Sequence, residues 1–168
     1  MAKPPVLPID NKQDYFDKLI EEIEPYFTKN GLGLKFEGYK DTVQAYSDLK
    51  SSDLDKCWEL SRDFNMWGEY FSDLKALVEK LFLDAETEKK KEYATASIAE
   101  DSKKVANGDR LANKNPTVIA LRRDRNLLQA FITSLTAKID FCYKCHHHCK
   151  NTFSIEKQIL SNVGGQYF

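Results

Sequence analysis

Residues 60–85 read LSRDFNMWGEYFSDLKALVEKLFLDA. Apolar side chains recur along this stretch in alternating steps of four and three residues: Leu60, Phe64, Trp67, Phe71, Leu74, Val78, Leu81 and Ala85. This heptad spacing puts the apolar residues on one side of a helix and leaves the opposite side polar. It predicts a long helix, beginning near Asp53, that packs against another long helix.

The same spacing returns near the C-terminus, after the boundary signal Asn115-Pro116. Its positions are Leu121, Arg125, Leu128, Ile132, Leu135, Ile139, Cys142, His146, Cys149 and Phe153. Proline and threonine at 116–117 suit the first turn of a helix. Two long helices with matching heptads and a polar connector predict an antiparallel α-hairpin or coiled coil.

The predicted fold class is all-α, with short N-terminal helices before the hairpin. One short helix follows Asp10, a candidate N-cap, and is closed by Pro25 and then by Gly31 and Gly33. Its apolar residues recur at helical spacing: Tyr15, Phe16, Leu19, Ile20 and Ile23. The other short helix covers about 40–49. The domain organisation is an N-terminal arm with short helices at 1–52, the hairpin at 53–160 with its connector at about 101–116, and a tail at 161–168. Because the heptad residues are large, we also expect a homo-oligomer.

Composition excludes several classes of protein. The chain has 168 residues but only 7 glycines and 5 prolines, too few turns for an all-β fold. No stretch approaches the roughly 18 consecutive apolar residues of a membrane span, and the first residues lack the apolar core of a signal peptide. The sequence therefore predicts a cytoplasmic protein with reduced thiols and no membrane partner.

The net charge of −1 conceals a strong asymmetry along the chain. Residues 1–100 carry 21 acidic and 14 basic side chains, whereas residues 101–168 carry 5 acidic and 11 basic ones. Such an asymmetry favours an anionic partner for the basic half.

The string FCYKCHHHC at 141–149 admits several interpretations. Four potential metal ligands share one helical face: Cys142, Cys145, His146 and Cys149. A single helix cannot easily surround a tetrahedral ion, and Cys57 is the other cysteine available. A haem-attachment motif and a redox pair are formal alternatives. The favoured interpretation is that Cys142 and Cys149 are small buried hydrophobes, with the histidines at the helix edge.

No catalytic constellation emerges, so the sequence predicts neither an enzyme nor a cofactor. A Cys–His pair has nothing to orient it, and the acidic residues of the first half fit the solvated faces of helices.

Basic residues gather where the hairpin would join its two helices. A local excess of positive charge is the footprint expected for a phosphate backbone, and a neighbouring tyrosine can stack on a base. The candidate nucleic-acid-binding residues are Lys89, Lys90, Lys91, Tyr93, Lys103, Lys104, Arg110, Lys114, Arg122, Arg123 and Arg125.

The layout resembles the UvsY-type recombination mediators of tailed phages over about residues 65–153. The resemblance lies in the Trp-containing helix start at 65–67, the lysine-rich continuation into 93–94, the connector 104–112 and the helix stretch 126–135. It implies a ring-forming protein that binds single-stranded DNA and loads a RecA-like recombinase in place of a single-strand binding protein. It also implies that Lys89, Lys90 and Lys91 contact DNA.

The sequence therefore predicts a non-enzymatic, oligomeric, single-stranded DNA-binding protein that resembles a phage recombination mediator. Its alternative is a phage structural or protein-interaction module, such as a virion component or an inhibitor of host defence. In that case the apolar heptads would bind a protein partner, and the acidic half could mimic nucleic acid.

Overall fold

The computed structural model describes residues 9–50, 53–98 and 105–164, and this part of the chain forms five helices and no strand. The helices are α1 (Ile9–Lys29), α2 (Tyr39–Ser47), α3 (Leu54–Ile98), α4 (Val105–Ala112) and α5 (Pro116–Gly164). The prediction of an all-α fold is confirmed, and the two long helices α3 and α5 pack closely.

The chain divides into two compact units, and each long helix contributes to both. Unit 1 contains the described residues of Met1–Leu34 and Ala76–Ser134, and unit 2 those of Lys35–Lys75 and Leu135–Phe168. The predicted N-terminal segment, 1–52, therefore supplies α1 to one unit and α2 to the other.

The heptad positions of α3 are its packing face. Seven of the eight are buried, and Trp67 is half-buried. None of the ten heptad positions of α5 is exposed. In unit 2, Trp58 contacts Phe153 whereas Gly68 lies against Tyr143, so residue numbers rise along one helix as they fall along the other.

Unit 1 is built around Phe131 of α5, whose side chain is fully buried. Phe16 stacks on its ring with centroids 6.1 Å apart, and Phe27 meets its edge at 6.0 Å. Both come from the buried face of α1, which presents residues at helical spacing: Phe16, Leu19, Ile23 and Phe27.

Helix α1 passes through Pro25 rather than ending there, which corrects the sequence-based prediction. Proline removes one backbone N–H, but Glu21 and Pro25 are exposed, so water can satisfy the carbonyl left without a donor. The helix ends at Lys29, and the Leu32 N–H donates back to the Phe27 carbonyl at 3.0 Å. Gly31 permits this turn because its φ is 71°.

Unit 2 has an aromatic core around Tyr39, the first residue of α2. Its ring meets Phe71 at 5.0 Å and Trp67 at 5.4 Å, both edge-on. The predicted short helix at about 40–49 thus exists with slightly earlier bounds. It begins after Gly38, whose φ of 84° is one that a side-chain-bearing residue rarely adopts.

The predicted polar connector holds the two-turn helix α4, which sequence inspection did not anticipate. The predicted tail at 161–168 is helical through Gly164. Among the described helices, none is both long enough and apolar enough to cross a membrane.

Candidate nucleic-acid interface

The structure brings the predicted DNA-binding residues that it describes into unit 1. They lie at the C-terminal end of α3, on α4, in the turn after it and at the start of α5. Between Glu86 and Arg125, the described residues include eight basic and five acidic side chains. We call the eight basic residues the basic cluster: Lys89, Lys90, Lys91, Arg110, Lys114, Arg122, Arg123 and Arg125. Lys103 and Lys104 lie outside the described residues.

Two members of the basic cluster are already engaged by a carboxylate. Lys89 Nζ donates to both Glu86 oxygens at 2.9 Å, and Arg125 Nη1 donates to Glu86 Oε2 at 3.2 Å. Their side chains are only 17% and 33% exposed. These bonds hold the pKa of Glu86 below its ordinary value, the bond from Lys89 contributing most. The bond from Arg125 to Glu86 therefore links α5 to α3 within unit 1, whereas Lys89 pairs with Glu86 inside α3. Little of either side chain is open to a ligand.

Tyr93 is half-buried, and its hydroxyl is engaged as well. It donates to Asp109 Oδ1 at 3.0 Å, a bond that raises the pKa of Tyr93. Arg122 Nη2 donates to Asn113 Oδ1 at 2.9 Å beside it. Tyr93 thus fastens α4 to α3, and its hydroxyl is not free for a base.

The remaining six members of the basic cluster are exposed: Lys90, Lys91, Arg110, Lys114, Arg122 and Arg123. Lys90 lies 3.8 Å from Glu86, a weak ion pair at an exposed position. Within the described part of the chain, Lys91, Arg110, Lys114 and Arg123 make no ion pair. These side chains can therefore approach a phosphate without first breaking an ion pair.

A groove between α1 and α5 extends this surface. Its volume is about 460 Å³, and its lining includes Tyr15, Lys18 and Glu22 of α1 and Arg123 of α5. Tyr15 is 57% exposed, although its place in the apolar pattern of α1 suggested a core position. Sequence analysis missed Tyr15 and Lys18, because only the fold brings them beside Arg123.

The cysteines lie in unit 2 as buried free thiols, which confirms the predicted burial of Cys142 and Cys149. Burial raises the pKa of Cys142 to about 12 and that of Cys149 to about 11. Both thiols are therefore protonated at neutral pH, which makes them poor nucleophiles. In the described residues, no three Cys, His, Asp or Glu side chains are placed to hold a metal ion.

The histidines of the same string bond across to neighbouring helices. His146 Nδ1 lies 2.8 Å from the Ser61 carbonyl of α3, and His148 Nδ1 lies 2.9 Å from the hydroxyl of Tyr46 of α2. Both side chains therefore help to join the three helical segments of unit 2.

No protein-family model, no curated protein and no solved structure matches this chain.

Proposed function

We propose that this protein is a non-enzymatic, oligomeric, single-stranded DNA-binding protein that acts as a recombination mediator and loads a RecA-like recombinase. The observation that carries the DNA-binding part is the set of six exposed side chains of the basic cluster in unit 1, four of which make neither an ion pair nor a side-chain hydrogen bond within the described residues. The recombinase-loading part rests on the resemblance to the UvsY-type mediators.

The phosphate backbone is the part of the ligand that these residues recognise. Arginine donates in a planar fork that matches phosphate oxygens, and lysine adds a point charge. Such contacts release counterions, so binding weakens steeply as salt rises. Because they touch no base edge, binding is independent of sequence.

The exposed tyrosine of the groove favours a single strand over a duplex. Tyr15 lies with Lys18 and Arg123 in the same groove, and a base can stack on an aromatic ring only when it has left a duplex. Stacking contributes about 1–3 kcal/mol per base, so Tyr15→Ala should weaken binding about 5- to 150-fold.

Oligomerisation would multiply these contacts along one strand. Large apolar side chains remain exposed in unit 1, among them Leu83 at 62% and Ile98 at 79%. Contact between copies would remove them from water. The native mass of the protein, measured with and without an oligonucleotide, tests this part of the proposal; a monomer under both conditions would refute it.

The same exposed apolar side chains favour the second candidate, a phage structural or protein-interaction module. In that case the apolar surface would bind a different protein, and the basic cluster would be a solvated helix end. Salt dependence distinguishes the two candidates, because the second predicts no binding to single-stranded DNA even at low salt.

The decisive experiment measures the fluorescence anisotropy of a labelled single-stranded thymidine oligonucleotide across a salt series. The test variant combines Lys91→Gln, Arg110→Gln and Arg123→Gln. If each residue contacts one phosphate, the slope of log affinity against log salt becomes shallower by about 2.

The matched control combines Lys29→Gln, Lys50→Gln and Lys144→Gln. It removes the same charge from exposed positions outside the basic cluster. Equal weakening by both triple variants would mean that only net charge matters, and an absence of binding by the unmodified protein at low salt would refute the proposal outright.

A further inference from the structure

A second groove lies in unit 2, between α3 and α5. Its volume is about 370 Å³, within the range of roughly 300–1,000 Å³ typical of ligand pockets. Trp58, Arg62 and Met66 of α3 line it together with His146 and Lys150 of α5. We call it the Trp58 groove.

Trp58 offers an aromatic surface that is already held in place. Its ring packs against Phe153 with centroids 5.3 Å apart, which fixes the indole orientation. Even so, 46% of Trp58 is exposed. Stacking a base on this ring has a low entropic cost, because the Trp58 side chain loses little conformational freedom on binding.

Two cations accompany this ring at helical spacing. Arg62 lies one turn after Trp58 on α3, and Lys150 lies one turn after His146 on α5, so both charges border one groove. Both side chains are exposed, and neither makes an ion pair within the described residues. No carboxylate lines the Trp58 groove, so its charge favours an anion.

His146 adds a hydrogen-bonding atom in a fixed orientation. Its Nδ1 lies 2.8 Å from the Ser61 carbonyl, and a carbonyl oxygen only accepts, so Nδ1 must carry the hydrogen. In the neutral ring Nε2 is then the acceptor. Met66, which also lines the groove, is 64% exposed and supplies an apolar edge.

We propose that the Trp58 groove binds one nucleotide of single-stranded DNA, with the base stacked on Trp58 and the adjoining phosphates held by Arg62 and Lys150. An aromatic platform beside cations is how proteins hold unpaired strands without reading their sequence. The choice of polymer rests on the proposed function, but the residues are separate from the basic cluster. Each chain then carries two independent contact sites for the strand.

The test uses the fact that the chain has two tryptophans. Trp67 packs against Tyr39 and donates to Thr42 Oγ1 at 3.3 Å. The substitution Trp67→Phe keeps an aromatic ring at that position and leaves Trp58 as the single indole emitter. Unlabelled thymidine oligonucleotide is titrated into this full-length chain. We expect the Trp58 emission to fall as a base stacks on the ring.

Charge-removing variants then test the phosphate contacts. Arg62→Gln combined with Lys150→Gln should raise the oligonucleotide concentration needed for half of the emission change by about tenfold at low salt. The control pair, Lys144→Gln with Lys29→Gln, removes equal charge from exposed positions outside the groove and should change it less than twofold. All four positions are exposed, so each chain should keep its fold, which circular dichroism verifies.

The outcomes separate this inference from the proposed function. Binding by anisotropy without any change in Trp58 emission overturns the Trp58 groove and leaves the basic cluster standing. The same holds if the Arg62–Lys150 variant behaves like its control. An emission change that survives Lys91→Gln with Arg123→Gln supports the groove as an independent site, and no binding in either assay overturns both proposals.

Discussion

Replacing Glu86 by glutamine should make the protein bind single-stranded DNA more tightly. Glu86 neutralises two side chains of the basic cluster, Lys89 at 2.9 Å and Arg125 at 3.2 Å. An amide of nearly the same shape keeps the packing but removes the charge that holds both cations. Lys89 and Arg125 can then turn towards a phosphate.

The magnitude follows from the number of cations that the substitution releases. Each new phosphate contact steepens the dependence of log affinity on log salt by about 0.7 for a single strand, so two contacts add about 1.4. Over a fourfold change of salt this is a factor of about 7. The gain of Glu86→Gln over the unmodified protein should therefore be largest at the lowest salt and disappear as salt rises.

The assay is the anisotropy titration with a thymidine oligonucleotide, repeated at four or more salt concentrations. Glu88→Gln is the matched control, since it removes one charge from an exposed position of the same helix. Glu88 makes no ion pair within the described residues, so its loss changes net charge without releasing a cation. A thermal melt of each variant verifies that the protein remains folded.

An unchanged slope in Glu86→Gln would refute the reasoning, because it would mean that Lys89 and Arg125 stay in place without their partner. A slope that steepens equally in Glu88→Gln would also refute it, because net charge alone would then account for the result.

Three further outcomes concern stability. Phe131→Ala should lower the free energy of unfolding by about 3–5 kcal/mol in a urea titration, since it empties the centre of unit 1; a loss below 1 kcal/mol would mean that the ring is not in a packed core. Gly68→Ala should raise stability by up to about 1 kcal/mol through helix propensity, because the Tyr143 ring that the new Cβ would meet at 3.2 Å is 37% exposed and can move; a lower Tm would show that the ring is fixed. The Tm should fall as the pH rises from 9.0, the ordinary pKa of a thiol, to about 12, the pKa of Cys142 in the folded protein. In this range the thiol ionises in the unfolded chain but stays protonated in the folded one, so a rising pH favours unfolding. Cys142→Ala should flatten this pH dependence, and an equal slope in both proteins would contradict the assignment.

The long helices were predictable because their signal is periodic. Residues on the α3 heptad, such as Phe64 and Val78, are buried whatever partner covers them. Pro25 shows the limit of local rules, since its cost depends on whether the carbonyl it leaves free faces water. The short helix α4 escaped prediction because it has only eight residues and contains the pair Asn107-Gly108, which is typical of turns.

The positive charge of the candidate interface could be predicted from the sequence, but the contacts of its side chains could not. Sequence shows that Lys89 and Arg125 are cations, but not that Glu86, which is 39 residues from Arg125, lies between them. Tyr15 likewise fitted the apolar pattern of α1, and only the packing of that helix leaves it exposed beside Arg123. Exposure and pairing depend on tertiary structure, which a linear pattern does not contain.

The composition of the two units has a consequence for the protein while it is being made. Each unit combines a segment that is synthesised early with one that is synthesised late. Ser61, for example, bonds to His146, which is synthesised 85 residues later. At about 5–20 residues per second, translation takes roughly 4–17 s to cover that distance. The apolar face of the newly made α3 therefore remains exposed to solvent for several seconds before α5 is synthesised and can cover it. During that interval we expect the exposed face to be bound by a chaperone or by a second nascent copy of the chain.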